Sequence, residues 1–247
     1  MITISIVSHG QGDLVANLLG QLALFRKDIE SVIITKNIPE SENFDQYKDK
    51  LPLVVISNKS ALGFGANHNQ AFKLCKTRFF CVMNPDISLI ENPFSVLKSN
   101  CLGGDTAVVA PTILDKDNVI ENSARYFPKL SSILKKIIGR GSDCYPTDNK
   151  KIVYPDWVAG MFLFFSADKY KDLKGFDDSF FLYYEDVDIC ARAWEMGYNV
   201  KLCTEVKAIH DARRSSHKEF KFLRRHVSSL FRYFLKYQFR LPIKKIP

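Results

Sequence analysis

The stretch Leu53–Met83, LVVISNKSALGFGANHNQAFKLCKTRFFCVM, predicts a strand, a helix and a second strand. Leu53–Ser57 is rich in Val and Ile, Gly65–Lys76 has helical character, and Phe79–Met83 is an unbroken apolar run. Short apolar runs of this kind are typical of strands that are buried on both faces. Strands joined through a helix build parallel sheets, so this stretch favours an α/β fold.

The same alternation continues on both sides of this stretch. The further predicted strands are Ile2–Ser8, Ser31–Thr35, Ala107–Pro111, Trp157–Phe165, Asn199–Cys203 and Val206–Ile209. The further predicted helices are Asp13–Phe25, Glu91–Asn100, Val187–Met196 and His217–Arg240. The sequence therefore predicts a mostly parallel central sheet flanked by helices, in which ligands bind beyond the carboxyl ends of the strands.

The composition is that of a soluble globular protein. The chain has 247 residues, of which 46% are hydrophobic and 25% are charged, which suits one large domain or two small ones. No window reaches the roughly 18 consecutive apolar residues of a membrane span, and the first residues lack the pattern of a signal peptide. The six cysteines are scattered without a CxxC pair, so we expect reduced thiols in a cytosolic protein and no zinc site.

The net charge of +8 is concentrated at the end of the chain. Residues 211–247 contain 11 Lys or Arg and 2 acidic residues, whereas residues 1–210 are almost neutral. This distribution predicts an anionic partner for the last segment.

The helix predicted over His217–Arg240 is amphipathic. On a helical wheel its apolar side chains share one face, namely Phe220, Leu223, Val227, Leu230, Phe231 and Phe234. Basic side chains lie opposite, namely Lys221, Arg225, Arg232 and Lys236. Such a helix either lies in a membrane interface or packs on the domain with a solvated basic face. The concentration of charge favours the membrane interface.

Polar motifs follow three of the predicted strands. Ser8-His9-Gly10 could admit a nucleotide to the backbone, although Val15 stands where a dinucleotide-binding fingerprint has its third glycine. Asn58 and Gly63–Asn69 lead into a helix N-terminus, which is either an anion site or a capped turn. Asn84-Pro85-Asp86 is either a turn or a site for a hard cation held together with phosphate oxygens.

A cluster of carboxylates opens the helix predicted near Val187. The segment Gly175–Tyr198 reads GFDDSFFLYYEDVDICARAWEMGY, with Glu185, Asp186 and Asp188 after an aromatic run. These acids either stabilise the helix N-terminus or act as a base with a tuned pKa. His210 follows the last predicted strand, where a lone histidine is either structural or a ligand.

In this order, the motifs resemble family 2 glycosyltransferases of the GT-A fold, from Ile2 to about Lys236. The segments VSHG, GFGANHN, NPDI, DWVAG and GFDDSFFLYYEDVDICAR look most like bacterial O-antigen rhamnosyltransferases. The resemblance implies a Rossmann-like catalytic domain over residues 1–210 and a membrane-associating amphipathic tail over residues 211–247. The domain would divide into a nucleotide-sugar half, 1–111, and an acceptor half, 112–210.

The resemblance also implies inverting sugar transfer from a nucleotide diphosphate sugar, with a role for each motif. Asp186 would be the base and Glu185 its catalytic neighbour, while Asp86 and His210 would bind Mn²⁺ or Mg²⁺, with Mn²⁺ favoured by the imidazole. The acceptor would contact Trp157, Gly160 and Glu185, and the diphosphate would contact Arg213, Arg214 and Ser215. The nucleotide sugar would contact Ser8, His9, Gly10, Asn37, Asn58, Gly63, Phe64, Asn67, Asn84 and Asp86.

One departure from the family affects the donor. Relatives carry an Asp-Asn pair after the second strand, whereas this chain has Thr35-Lys36-Asn37. By overall likeness the donor would be dTDP-rhamnose, with a UDP-sugar as the alternative. The acceptor would be a sugar on undecaprenyl diphosphate, at the inner face of the cell membrane, in O-antigen or other surface polysaccharide synthesis.

Two rival functions differ in kind from catalysis. One is a non-catalytic module that binds sugar nucleotides. The other is a nucleic-acid-binding protein that uses the basic tail. We expect no nucleic-acid partner, because the body lacks basic patches with interleaved aromatic residues.

Overall fold

The computed structural model of the chain describes residues 1–137, 139, 141–147, 150–211, 220–238, 240 and 244. The strands in this part are β1 (Ile2–Ser8), β2 (Ile29–Lys36), β3 (Leu53–Ser57), β4 (Phe79–Met83), β5 (Ile87–Leu89), β6 (Thr106–Leu114), β7 (Ala124–Arg125), β8 (Ile152–Val153), β9 (Trp157–Val158), β10 (Phe162–Ser166) and β11 (Asn199–His210). The α-helices are α1 (Gly12–Leu24), α2 (Phe64–Phe72), α3 (Phe94–Cys101), α4 (Leu130–Ile137), α5 (Ala167–Asp172), α6 (Glu185–Glu195) and α7 (Phe220–Lys236).

The central sheet has the strand order β3-β2-β1-β4-β10-β6-β11-β5, with β8 paired to β11. β1 to β4 run parallel to one another, and β6 runs parallel to β11. β10 lies antiparallel between β4 and β6. The predicted α/β class with a mostly parallel sheet is confirmed.

The antiparallel strand brings a second segment to the carboxyl edge of the sheet. The single strand predicted over Trp157–Phe165 is wrong, because β9 and β10 are separated at residues 159–161. Phe162 pairs with Met83, the last residue of β4. The Asn84 amide donates to the Met161 carbonyl over 2.9 Å. Residues 159–161 therefore lie beside the Asn-Pro-Asp motif.

The last strand of the sheet is longer than expected. The two strands predicted over Asn199–Cys203 and Val206–Ile209 form one strand, β11, whose register with β6 shifts between Cys203 and Lys207. β11 continues to His210, which pairs with Ile87 of β5. This pairing brings His210 next to Asp86.

The core lies on both faces of the sheet. Along β4, Phe80 and Val82 face a cluster that includes residues of α2 and α6. Cys81 and Met83 face the cluster that includes α1 and α3. This alternation follows from the two-residue repeat of a strand, and each large apolar side chain that is fully buried contributes about 1.5–3 kcal/mol.

Helix α7 packs on this core along part of its surface. Tyr233 and Phe234 are buried, whereas Leu223, Val227 and Phe231 are more than half exposed. The apolar side chains predicted to share one face are therefore divided between the core and the surface. The predicted start of the helix at His217 lies outside the described residues. Among the described residues, none of the helices combines the length and apolar character that crossing a bilayer requires.

Candidate active site

Side-chain amides join the ends of β2 and β3 to the start of α2. Asn37 Oδ1 accepts from Asn58 Nδ2 at 3.0 Å and from the Leu62 amide at 2.8 Å. Asn37 Nδ2 donates to the Leu62 carbonyl at 3.0 Å. Asn58 also donates to Asn67 Oδ1 at 2.7 Å. These three asparagines fix the shape of the loop that carries the predicted nucleotide contacts.

The end of β1 lies beside this network. Ser8 is buried and its hydroxyl donates to Glu40 Oε2 over 2.7 Å. His9 is exposed and its Nδ1 lies 3.3 Å from Asn37 Nδ2. Gly10 has a φ of +76°, which a side chain would disfavour. Glu40 is a residue that the sequence analysis missed.

The turn before α2 is joined to the segment before α6. A Cβ atom on Gly63 would lie 2.7 Å from the Phe181 carbonyl oxygen, so only glycine fits there. The Phe64 amide donates to that same carbonyl at 2.8 Å. Asn69 donates to the Phe176 carbonyl and accepts from the Phe176 amide, at 2.8 and 2.9 Å. The nucleotide-side loop and the carboxylate segment therefore form one unit.

Two successive tyrosines precede the carboxylates in an unusual backbone conformation. Tyr183 and Tyr184 have φ values of 71° and 68°, and each non-glycine residue in this region costs about 1–3 kcal/mol. Helix α7 supports them, since Ser229 Oγ donates to the Leu182 carbonyl at 2.8 Å. The His226 ring contacts both tyrosine rings. Strain held in place by tertiary contacts is typical of functional sites.

Backbone amides hold the Asp186 carboxylate on both of its oxygens. Oδ2 accepts from the Gly160 amide at 3.0 Å, and Oδ1 accepts from the Val187 amide at 2.8 Å. Burial raises the pKa of Asp186, and these hydrogen bonds oppose the rise. The result is a fixed carboxylate with an increased affinity for a proton.

Its neighbour Glu185 is only 5% exposed. Burial and, next, the charge of Asp186 raise the pKa of Glu185 well above its ordinary value. No described residue bonds to its Oε2 atom. The third acid of the cluster, Asp188, is paired with Arg192 at 2.8 Å and Lys236 at 2.6 Å, which indicates a structural role.

The second acidic site surrounds His210. Its Nε2 lies 3.4 Å from Asp86 Oδ2, and its Nδ1 lies 3.1 Å from Glu121 Oε2. Burial lowers the pKa of His210, but the hydrogen bonds and charges of Asp86 and Glu121 outweigh it, so the pKa is raised. Within the described ranges, no cluster of three or more His, Cys, Asp or Glu side chains has a metal-binding arrangement.

A cavity of about 1310 Å³ extends from the Glu185–Asp186 pair to Glu121, the neighbour of His210. Its wall also includes Asn84, beside Asp86 in the sequence, and Trp157. The Trp157 indole donates to the Tyr126 carbonyl at 2.9 Å, and the Arg125 guanidinium lies 5.2 Å from its ring. A polar and aromatic cavity of this size can hold a ligand.

The structure thus brings most of the predicted site residues to one edge of the sheet. Arg213, Arg214 and Ser215 lie outside the described residues. Glu121 and Arg125 were missed because their segment has no regular pattern. The turn residues of Asp115–Asn118, which fold Glu121 back beside Ile113, were the available signal for Glu121.

Solved structures with the same architecture identify the fold. The chain has the GT-A fold: it matches a mannosyltransferase of Pyrobaculum calidifontis in complex with GDP-Man and Mn²⁺, with a TM-score of 0.68 and 12% identity, covering 100% of this chain and 65% of that one. It also matches GalNAc-T7 with UDP, GalNAc and Mn²⁺, with a TM-score of 0.65 and 12% identity, over 87% of this chain and 44% of that one.

Two relatives are similar in sequence. The rhamnosyltransferase WbbL of Escherichia coli K12 is 28% identical, over 94% of this chain and 92% of its own length. The low-salt glycan biosynthesis hexosyltransferase Agl10 of Haloferax volcanii is 25% identical, over 53% of this chain and 41% of its own length. No known family model matches the sequence. These likenesses confirm the resemblance to GT-A family 2 glycosyltransferases, and they support glycosyltransferase activity.

Proposed function

We propose that this chain transfers a sugar, with inversion, from a nucleotide diphosphate sugar to a lipid-linked sugar acceptor. The observation that carries the proposal is that one cavity is lined by the Glu185–Asp186 pair and by Glu121, which contacts His210 beside Asp86. Such a transfer needs a base for the acceptor hydroxyl and positive charge for the leaving diphosphate. The two acidic sites supply the base and the place for a cation.

Asp186 takes the proton of the acceptor hydroxyl in this mechanism. The Gly160 and Val187 amides hold its carboxylate in place, and its raised pKa increases its driving force as a base. The acceptor oxygen attacks the anomeric carbon, and the bond to the diphosphate breaks on the opposite face. Trp157 contributes to the cavity wall where the acceptor is proposed to lie.

The residues around His210 fit a divalent metal. Asp86 Oδ1 is buried and has no hydrogen-bond partner among the described residues, and His210 Nε2 lies on the side of Asp86. Oxygen and imidazole ligands together suit Mn²⁺ better than Mg²⁺. When bound, the metal would neutralise charge on the leaving diphosphate. The Mn²⁺ in both structural neighbours supports this assignment.

The donor is proposed to be dTDP-rhamnose, with a UDP-sugar as the alternative. The likeness to WbbL over nearly the whole chain supports rhamnose, whereas the UDP bound to GalNAc-T7 supports the alternative. Among the predicted nucleotide contacts, Asn37, Asn58 and Asn67 are engaged with the loop itself. They act by shaping the nucleotide site.

The acceptor is proposed to be undecaprenyl-linked and to be reached at the inner face of the cell membrane. Helix α7 supports a peripheral contact through a stripe of side chains that are 54–62% exposed, namely Leu223, Val227, Phe231 and Leu235. Arg224 and Arg232 are also exposed, and residues 220–238 contain no acidic residue. Apolar burial and attraction of basic residues to anionic lipid act together in such helices.

A transfer assay tests the proposal. The protein is incubated with Mn²⁺, a polyprenyl diphosphate-linked N-acetylglucosamine, and either dTDP-rhamnose or a UDP-sugar, and the lipid product is identified by mass. We expect rhamnose on the acceptor. Transfer from a UDP-sugar alone would change the donor but not the reaction. Binding of sugar nucleotides without transfer to any acceptor would favour the non-catalytic module.

The membrane contact has its own test, in which folding is preserved because only exposed side chains are changed. We expect Val227→Glu with Phe231→Glu to abolish sedimentation with phosphatidylglycerol vesicles. Leu24→Glu, at a site on α1 that is 79% exposed, is the matched control and should sediment like the unaltered protein. Equal sedimentation of both variants would contradict the assigned surface.

A further inference from the structure

We infer that Glu121 is a positioning residue that orients His210 toward the metal, an inference that rests on the proposed metal-dependent function. Glu121 lies in none of the motifs that carry the family resemblance. The structure nevertheless places its Oε2 atom 3.1 Å from His210 Nδ1. The inference concerns how one carboxylate acts through an imidazole ring without binding the metal itself.

The imidazole of His210 lies between two carboxylates. Asp86 is on the Nε2 side at 3.4 Å, and Glu121 is on the Nδ1 side. The two ring nitrogens point away from each other, so the Glu121 oxygen at Nδ1 is on the far side of the ring from a metal at Nε2. Asp86 and His210 are therefore the candidate ligands, and Glu121 supports His210 from the other side of the ring.

A carboxylate next to Nδ1 determines which ring nitrogen of His210 is available to bind a metal. When Nδ1–H donates to Glu121, the Nε2 lone pair is directed at Asp86 and can bind a cation. Metal-binding histidines commonly donate their second nitrogen to such a partner, which fixes the ring orientation and increases ligand basicity. The side chains of His210, Asp86 and Glu121 are only 12%, 14% and 24% exposed, so water competes weakly for these contacts.

The backbone around Glu121 is fixed independently of its side chain. The Glu121 amide donates to the Ile113 carbonyl at 2.8 Å, and its own carbonyl accepts from the Ser123 amide at 2.8 Å. The adjacent β6 and β11 are paired, with Leu114 opposite Ile209. Shortening the Glu121 side chain should therefore leave the hairpin and the strand pairing intact.

The test measures Mn²⁺ itself. The dissociation constant is obtained from the EPR signal of free Mn²⁺, and Mn–nitrogen coupling is read by pulsed EPR on the bound ion. We expect Glu121→Ala to weaken binding by about 10- to 100-fold, the range found for outer-shell partners, and to reduce the nitrogen coupling. Glu121→Gln keeps a hydrogen-bond acceptor, so it should lose less affinity than Glu121→Ala.

Glu91→Ala is the matched control. The Glu91 carboxylate accepts a hydrogen bond of 3.3 Å from the amide of Lys207, which lies on β11 as His210 does. It should bind Mn²⁺ like the unaltered protein, and thermal melting should show that all variants are folded. If Glu121→Ala kept the Mn²⁺ affinity and the nitrogen coupling while His210→Ala lost both, the role of Glu121 would be overturned and the metal-dependent function would stand. No Mn²⁺ binding by the unaltered protein would overturn the metal-dependent function, and this inference with it.

Discussion

The two acidic sites of the cavity use the same kinds of side chain in opposite surroundings. At the first site, Asp86 and Glu121 flank an imidazole; burial lowers the pKa of His210, but the hydrogen bonds and charges of the two carboxylates outweigh it and raise the pKa. At the second site, Glu185 is buried and the adjacent Asp186 is half-buried, and their own pKa values are raised. The first site favours bound positive charge, whereas the second favours a bound proton.

This difference shows that the partners of a carboxylate decide its chemistry. Asp86 keeps a buried oxygen without a partner among the described residues, which suits a metal ligand. Asp186 has backbone amides on both oxygens, which fixes its position without adding a counter-charge. One site can therefore stabilise a leaving diphosphate while the other accepts a proton.

The largest expected effect comes from removing the base. Asp186→Asn keeps the shape of the side chain but cannot take a proton, so we expect kcat to fall by about 10²- to 10⁴-fold. Donor affinity, measured by calorimetry with the nucleotide diphosphate and Mn²⁺, should not change. Glu195→Gln, an exposed position on the same helix, is the control. A variant that still turns over at the normal rate would assign the base elsewhere.

Asp86→Asn should produce the complementary result. A direct ligand should matter at least as much as an outer-shell partner, so we expect Mn²⁺ affinity to fall by about 100-fold or more. The stabilisation of the protein by a nucleotide diphosphate should then no longer depend on Mn²⁺, as measured by thermal melting. If Asp186→Asn lost Mn²⁺ binding equally, the division between the two sites would be wrong.

The pH dependence of kcat tests the role of Asp186 as the base at the second site. The pKa of Asp186 is raised, so the base form is present above this pKa and is lost as the pH falls through it. The acidic limb of kcat should therefore lie above 3.8, the ordinary value for Asp.

The substitution Glu185→Gln tests whether the Glu185 carboxyl group, next to Asp186, is protonated and therefore neutral. If Glu185 already holds a proton, the substitution should shift the acidic limb of the kcat–pH profile by less than about one pH unit, which corresponds to ~1.4 kcal/mol of interaction. The rate–pH profiles of the two proteins give the comparison. A downward shift of more than one unit would show that Glu185 is charged in the active enzyme.

The smallest effect is expected from the support of the second site by α7. Ser229→Ala removes the hydrogen bond to the Leu182 carbonyl, which should lower the free energy of unfolding by about 1 kcal/mol. The strained Tyr183–Tyr184 segment should become less well held, so kcat should fall a few-fold while Mn²⁺ affinity stays the same. Loss of Mn²⁺ affinity would mean that α7 supports both sites.

Much of the fold could be predicted because its strands are short apolar runs with helices between them. β1, β4 and α1 fall close to the predicted positions. The break at residues 159–161 could not be predicted, because the segment around it is apolar on both sides and hydropathy does not give strand direction. The antiparallel pairing of β10 with β4 decides where Gly160 lies.

The candidate site was predictable to a similar degree. Asp86, Asp186 and His210 belong to motifs whose order along the chain carries the family resemblance, so they could be singled out from the sequence, and their roles stay predictions. Glu121 and Glu40 were missed, because each contacts a residue distant in sequence, and the turn at Asp115–Asn118 indicates only that the chain folds back near Glu121. Neither contact leaves a local pattern.

The α/β class, the order of the motifs and the basic character of the last segment can be inferred from the sequence alone, because these depend on local hydropathy, residue type and charge. Which carboxylate faces a histidine and which faces backbone amides is known only from the folded chain. The same holds for which apolar side chains of α7 are buried, since Tyr233 enters the core while Phe231 remains exposed. Both outcomes depend on packing between distant segments, which no local pattern specifies.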